Sequence, residues 1–275
     1  MKKILCSTGA IIGKQNERDF RLLEPLSKRL TCDGFEFMMY SSWYEQIEDI
    51  KAFLNGLNLY IPVFHCEKGI GEYISKGSDE ELAEAFRRFE INCDLAKAIG
   101  VEKLVLHLWS GHISDSNFQS NLNAYPRLKE IAESFGLVLG IENVVCNVEN
   151  PMKHLCELRG QYPDVRFVFD TKMAAFHEEL EQLYEKEYEW LWKDGHICHY
   201  HVNDYNGGYM DWQNLRTLRI GQGKLDFERF FAFIREIGYE GDYTLEATAY
   251  DNEGNVDVEL LNKQFEYVRE KMFEH

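Results

Sequence analysis

The residues "DEELAEAFRRFEINCDLAKAIGVEKLVLHLW" (79–109) hold one helix, one stop and one strand, and the rest of the chain repeats that order. Leu82, Phe86, Phe89 and Cys93 recur at helical spacing, which predicts an amphipathic helix with that stripe turned inward. Ser78, with Glu81 three positions on, is a capping box at its start, and Gly100 is its stop. "KLVLHLW" (103–109) follows as a short apolar run, the pattern of a buried strand.

Further runs of that kind are "KKILCS" (2–7), "GFEFMMYS" (34–41), "LNLYIPVFH" (57–65), "LVLGIENV" (137–144), "VRFVFDT" (165–171), "ICHYHVN" (197–203) and "DYTLEAT" (242–248). Helical patterns lie between them. One is "KLDFERFFAFIREIG" (224–238), which stops at Gly238, and "VDVELLNKQFEYVREKMF" (256–273) comes last. Strands alternating with helices, and no Pro- or Ser-rich linker, predict an α/β fold: a single (β/α)8 TIM barrel over residues 1–275, near the usual ~250 residues. The rival is a doubly wound open sheet. It usually carries a Gly-rich phosphate loop after the first strand, and "CSTGAIIGK" (6–14) matches neither GxGxxG nor the P-loop.

Hydrophobic content of 45% and charged content of 28% are ordinary for a folded protein, but the formal net charge is −17. So acidic a surface repels phosphate backbones and anionic membranes, and neither nucleic acid nor membrane is an expected partner. The densest basic stretch, "FRRFE" (86–90), is flanked by acids and reads as a solvated helix face. Cysteines stand singly at 6, 32, 66, 93, 146, 156 and 198, odd in number and without a CxxC pair. That usage fits buried thiols in a reducing compartment. "MKKILCSTGAIIGK" (1–14) sets lysines before an apolar run, but Ser7, Thr8 and Gly9 break it, so it reads as a first strand rather than a signal peptide. No apolar stretch approaches membrane-spanning length. A cytoplasmic protein is expected.

Barrel enzymes carry their chemistry at the C-terminal ends of the strands, and ligand-type side chains gather there in this sequence. His65 ends the third strand and His107 lies near the end of the fourth; Glu142 follows "LVLGI" and Asp170 follows "VRFVF". His201 lies within "HICHYHVNDYNGG" (196–208), and Glu246 follows "DYTL". A buried ionised carboxylate is costly unless paired or bound to a metal. Carboxylates turned toward one axis repel each other by on the order of several kcal/mol at low dielectric. One divalent ion held by Glu142, Asp170, His201 and Glu246 resolves this most simply. Oxygen ligands with one nitrogen suit Mn²⁺, Mg²⁺ or Co²⁺, and Zn²⁺ is also admissible. Singly, a strand-end carboxylate is more often a helix N-cap or ion-pair partner. Capping alone does not require such residues at equivalent ends of consecutive strands. His199 reads as a satisfied core or surface histidine, and His112, His154 and His196 as solvated.

The motifs "HLWSG" (107–111), "GIENV" (140–144), "FVFDT" (167–171), "HVND" (201–204), "RIGQG" (219–223) and "LEAT" (245–248), in this order, resemble the xylose isomerase-like TIM-barrel superfamily. The sugar-phosphate isomerase/epimerase branch is the nearest likeness, and the endonuclease IV branch is related. The resemblance covers nearly the whole chain. It implies a divalent-metal-dependent isomerase or epimerase acting on a small sugar or sugar phosphate. Glu142, Asp170, His201 and Glu246 would hold the metal, and Glu142 and Glu246 would be the catalytic pair. A metal that polarises a carbonyl makes the neighbouring proton acidic enough for a carboxylate to exchange, through a metal-stabilised enediolate. Two glutamates on opposite faces give epimerisation; one alone favours keto–aldose isomerisation.

The chain also departs from the resembling families. The histidine common three positions after the sixth-strand Asp is Met173 here, so Lys172 or His177 is the expected substitute at the substrate. The Asp-x-His of the endonuclease branch is replaced by Leu215 and Thr217, which removes its third zinc site. His65 and His107 match histidines that hold the first zinc of that branch; hydrogen bonding to a sugar is the favoured reading, a second metal the other. Arg219 resembles an arginine that reaches a substrate hydroxyl or phosphate, with surface ion pairing as its alternative. Trp109, with Phe64, Tyr205 and Trp212, fits either packing or an apolar wall for a sugar ring. Asp204 supports the site or makes a turn. Two other functions stay open: an abasic-site endonuclease-like phosphodiesterase, and a carbohydrate-binding barrel without catalysis. Resembling proteins are commonly dimers or tetramers, so a homo-oligomer is compatible.

Overall fold

The computed structural model describes residues 2–251 and 253–273. Its strands are β1 (Ile4–Ser7), β2 (Gly34–Met38), β3 (Val63–His65), β4 (Lys103–Leu106), β5 (Val138–Glu142), β6 (Arg166–Asp170), β7 (Ile197–Val202) and β8 (Tyr243–Leu245). They follow one another in sequence order, and β8 returns to β1 with Leu5 opposite Thr244, so the parallel sheet is a closed barrel. The helices are α1 (Leu23–Ser27), α2 (Ile47–Leu57), α3 (Gly69–Lys76), α4 (Asp79–Ala98) and α5 (Phe118–Ser134), then α6 (Pro151–Gln161), α7 (Thr171–Phe176), α8 (Trp190–Lys193), α9 (Phe227–Glu236) and α10 (Val258–Phe273). No described helix is long and apolar enough to cross a membrane.

By its internal contacts the chain divides into two units. One runs up to Glu36 and resumes over Asp170–Gly195 and from His199 onward; the other takes Phe37–Phe169 with His196–Cys198. In the first, Phe230 stands edge-on to Tyr200 at 5.7 Å, and Tyr243 stacks on Tyr200 at 6.1 Å. In the second, Phe37 packs on Trp43 and Phe64 at 5.6 and 5.7 Å. Burying a side chain of this size stabilises by roughly 1.5–3 kcal/mol relative to exposure.

Helix α4 starts and stops where the sequence places it. The Ser78 hydroxyl accepts the Glu81 N–H, Asp79, Glu80 and Glu81 lie in the positive first turn, and Gly100 takes φ +79°. Its buried stripe is Ala85, Phe89, Asn92, Cys93 and Ala96. Leu82 and Phe86 are only half-buried and line an open groove with Asn117, Ser120 and Arg127. Arg88 is also less solvated than expected: it lies over the Tyr44 and Tyr73 rings and pairs with Glu67 and Glu84.

Strands are shorter than their apolar runs. In "LNLYIPVFH", α2 continues to Leu57, Asn58 turns left-handed (φ 49°), and Pro62 has no N–H to give a ladder, so β3 is only Val63–His65. Two histidines expected to be solvated are buried. His196 Nδ1 lies 2.7 Å from the Val165 carbonyl, and His154 stacks on Phe118 with Nε2 3.0 Å from Asp115. The same Asp115 carboxylate accepts the backbone N–H groups of Asn147, Val148 and Glu149, so the pair fixes the segment after β5. His112 is exposed, as expected. Among the thiols, Cys6, Cys66, Cys93 and Cys146 are buried, while Cys156 is exposed, against expectation.

Gly140 lies two residues before Glu142 on β5. A Cβ there would stand 2.7 Å from Val168 Cγ2, 3.1 Å from Cys198 Sγ and 3.3 Å from the Leu104 carbonyl. Gly140→Ala is therefore expected to destabilise the fold by about 1–3 kcal/mol. Denaturant unfolding measures this, and an unchanged midpoint would contradict the packing described.

Candidate active site

In the first unit, Asp170 ends β6 and caps α7: its Oδ1 accepts the Met173 N–H at 2.8 Å. Capping does not exhaust it. The Asn203 side-chain amide donates to Asp170 Oδ2 at 2.8 Å and to Glu246 Oε2 at 3.1 Å, tying the two carboxylates to one nitrogen. Glu246 stands just past β8, with its other oxygen, Oε1, 3.6 Å from His201 Nδ1. The Lys172 ammonium lies 3.8 Å from Glu246 Oε2 and donates to Thr217 Oγ1 at 3.2 Å. Asp170, Lys172, His201 and Glu246 are thus brought together. All four are nearly or wholly shielded from solvent, Glu246 least so at 9% exposed.

His199 and His201 share a face of β7 because strand side chains alternate. That face meets Glu36 of β2. Glu36 Oε2 lies 2.9 Å from His201 Nε2 and 3.5 Å from His199 Nε2, and it accepts the Thr244 hydroxyl at 2.8 Å. His199 Nε2 is also 2.7 Å from Thr244 Oγ1. All of these side chains are fully buried. Burial alone would raise the Glu36 carboxyl, but the imidazoles of His201 and His199 outweigh it and hold the group well below the usual carboxylate range.

An ionised carboxylate has no proton to give, so His201 Nε2 is the donor to Glu36. The other ring nitrogen, Nδ1, faces Glu246 Oε1. The Asp170 and Glu246 carboxylates, gathered on the one Asn203 amide, repel each other by themselves and attract with a cation between them. Carboxylate oxygens with one imidazole nitrogen form a donor set that fits a divalent ion of oxygen and nitrogen preference.

In the second unit, Glu142 ends β5 and is 1% exposed. His107 Nε2 lies 2.7 Å from its Oε2, and His65 Nε2 lies 3.4 Å from the same oxygen. His65 Nδ1 is 2.9 Å from the Cys66 carbonyl, and the two imidazoles stand edge to face at 4.9 Å. Burial pushes the His107 imidazole down to about 4, against the opposite pull of Glu142, so the ring is neutral at physiological pH. Gly71 of α3 lets the helix backbone approach this point: a Cβ there would fall 2.2 Å from the His107 carbonyl oxygen. Trp109 is fully buried, its indole N–H donating to the Val144 carbonyl at 3.2 Å, and packs edge-on against Phe118 and His154.

Arg219 stands on the segment that returns from β7 to α9. Asp204 organises that segment. Its carboxylate accepts the backbone N–H groups of Tyr205, Gly221, Gly223 and Leu225 at 2.8 to 3.2 Å. Of the two roles read for Asp204, the turn is the one built. A Cβ at Gly223 would lie 2.2 Å from Asp204 Oδ1, which explains the second glycine of "RIGQG". Phe64 and Tyr205 are buried, while Trp212 is half-exposed against Phe176 at 4.9 Å. Met173 is half-buried; His177 is buried, edge-on to Phe176 at 5.0 Å.

Sequence reasoning passed over Glu36 and Asn203. Glu36 carried the signal used for the other acids, a carboxylate inside an apolar strand ("GFEFM"), but it lies mid-strand rather than at an end. Asn203 carries no charge and left no comparable mark.

A family model described as xylose isomerase-like TIM barrel matches residues 26–270. An inosose dehydratase of Erwinia tasmaniensis is 23% identical over 288 residues, covering 96% of this chain and 85% of the relative. Among solved structures, a D-allulose 3-epimerase from Methylomonas sp., in complex with D-allulose, has a TM-score of 0.71 at 16% identity, covering 98% of this chain and 97% of that one. A D-tagatose 3-epimerase-like protein has a TM-score of 0.70 at 19% identity with the same coverage. At these identities the likeness is one of fold.

Proposed function

Because the chain belongs to the xylose isomerase-like TIM-barrel family, we propose that it is a divalent-metal-dependent isomerase or epimerase of a small sugar, free or phosphorylated. The observation that carries this reading is the gathering of the Asp170 and Glu246 carboxylates on the Asn203 amide, with His201 Nδ1 3.6 Å from Glu246 Oε1 in a shielded place. The epimerases of allulose and tagatose type that share the fold support it. Asp170, His201 and Glu246 would hold the ion, and the family resemblance adds Glu142 as a fourth ligand. When bound, the ion would polarise the substrate carbonyl and so acidify the proton on the adjacent carbon.

The chain's own groups do the rest. Glu246 and Glu142 serve as the two proton-exchanging carboxylates, one taking the proton and the other returning it. Lys172, 3.8 Å from Glu246, supplies a fixed positive charge beside that carboxylate and orients a substrate oxygen in the place of the absent histidine. His107 and His65, both within reach of Glu142, hold it for its task or share it with a sugar hydroxyl. Arg219 binds a hydroxyl or phosphate at the far end of the substrate.

Incubation of the Mn²⁺-loaded chain with a panel of ketoses and ketose phosphates in D₂O tests this. The expected result is deuterium on the carbon next to the carbonyl of one class, with the epimer or aldose appearing alongside. Tight binding of a sugar with no exchange into any member would instead favour a carbohydrate-binding barrel.

A further inference from the structure

We propose that Asp115, Cys146 and His154 form a second cation site, one that takes Zn²⁺ and holds the fold together rather than exchanging protons. The three side chains come from separate places. Asp115 lies between β4 and α5, Cys146 between β5 and α6, and His154 on α6 itself. One ligand atom of each lies within 4.8 Å of the others, and all three residues are buried. The cluster shares no residue with the candidate active site, so the inference does not depend on the function proposed above.

The contact of His154 Nε2 with Asp115 Oδ2 at 3.0 Å accounts for two of the three. Cys146 Sγ, 3.6 Å from the Val144 carbonyl, is the member that this pair does not need. Ligand atoms about 2.0 Å from a tetrahedral zinc stand roughly 3.3 Å apart, so an ion between His154 and Asp115 would open their separation only slightly. A thiolate, a carboxylate and a neutral imidazole together balance a doubly positive ion, which suits a place shielded from water. The thiolate selects zinc over Mn²⁺ or Mg²⁺, so the count of Mn²⁺ ions per chain is unaffected.

The imidazole is already fixed for such a task. It stacks on Phe118 at 3.6 Å and stands edge-on to Trp109 at 5.3 Å. Behind it, Glu157 Oε2 lies 3.5 Å from Nδ1, the place where a carboxylate commonly backs a metal-bound histidine. Asp115 meanwhile keeps the backbone N–H groups of Asn147, Val148 and Glu149. The ion would therefore tie the segment that follows Glu142 to α6 and to the segment after β4.

The test uses the full chain, reduced, stripped of metal and titrated with Co²⁺, whose absorption reports what Zn²⁺ hides. A thiolate-to-cobalt charge-transfer band is expected, saturating within two equivalents and bleached by Zn²⁺ but not by Mn²⁺. Asp170, His201, Glu246 and Glu142 include no thiol, so the band reports this cluster and not the other site. Cys146→Ser is expected to abolish the band, and Cys156→Ser, at the exposed thiol of α6, to keep it. Glu157→Gln, at a partly exposed position, is expected to weaken Co²⁺ binding read from the band about 10–100-fold. A wild type without the band, a band that grows without saturating, or a band that persists in a folded Cys146→Ser overturns the site. If Cys146→Ser does not fold, an unchanged Co²⁺ affinity in Glu157→Gln overturns it.

Discussion

Glu246→Gln and Glu142→Gln are each expected to lower deuterium exchange into the substrate by on the order of 10²–10⁴-fold, the usual contribution of a positioned acid or base. Both changes preserve shape. A glutamine at 246 has the shape of the glutamate, and its oxygen still accepts from Asn203. At 142 the neutral His107 ring, 2.7 Å away, can offer an acceptor to the amide by changing tautomer. What each variant loses is a group able to carry a proton. In an epimerase the two losses should be unlike. The variant lacking one carboxylate should release the proton of one epimer poorly and that of the other less so, with the order reversed in its counterpart. Because both residues are also candidate ligands, Mn²⁺ content is measured beside the exchange rate. Exchange at the wild-type rate in either variant removes that residue from its assigned role.

Exhaustive chelation is expected to bring exchange to background and to lower the thermal midpoint, and added Mn²⁺ should restore both. The physical reason lies in the carboxylates gathered by Asn203, with His201 beside them. A ligand present at 100 times its dissociation constant stabilises the folded chain by about 2.7 kcal/mol. Without the ion, Asn203 and Lys172 offset part of the repulsion between these carboxylates. One ion per chain is the expected stoichiometry. Two per chain would place the second at His65, His107 and Glu142, which lie close enough to share one, and would favour the phosphodiesterase reading. Undiminished activity after chelation would remove the metal from the mechanism.

Much of this architecture can be read along the chain because barrel units are local. A strand, a helix and a stop lie within about thirty residues, as in 79–109, and the capping box at Ser78 and the stop at Gly100 act over a single turn. Strand lengths were overestimated where apolar residues continue past the ladder, as in "LNLYIPVFH", since apolar character reports burial rather than hydrogen bonding. The burial of His154 and His196 was missed for a related reason. Their partners, Asp115 and the Val165 carbonyl, are 39 and 31 residues away and leave no periodic trace.

For the site, the sequence by itself determined which side chains stand at the ends of strands, because alternation along a strand and its position in the βα unit are short-range properties. Asp170, His201 and Glu246 follow from that. Only the tertiary structure decided that Glu36 meets His201 across 165 residues and Thr244 across 208. It likewise decided that Asn203 joins Asp170 to Glu246, and that Trp109 is packed away. Closing the sheet brings β1 against β8 and turns distant faces inward, and no periodicity within one strand encodes which residue of another strand it will meet.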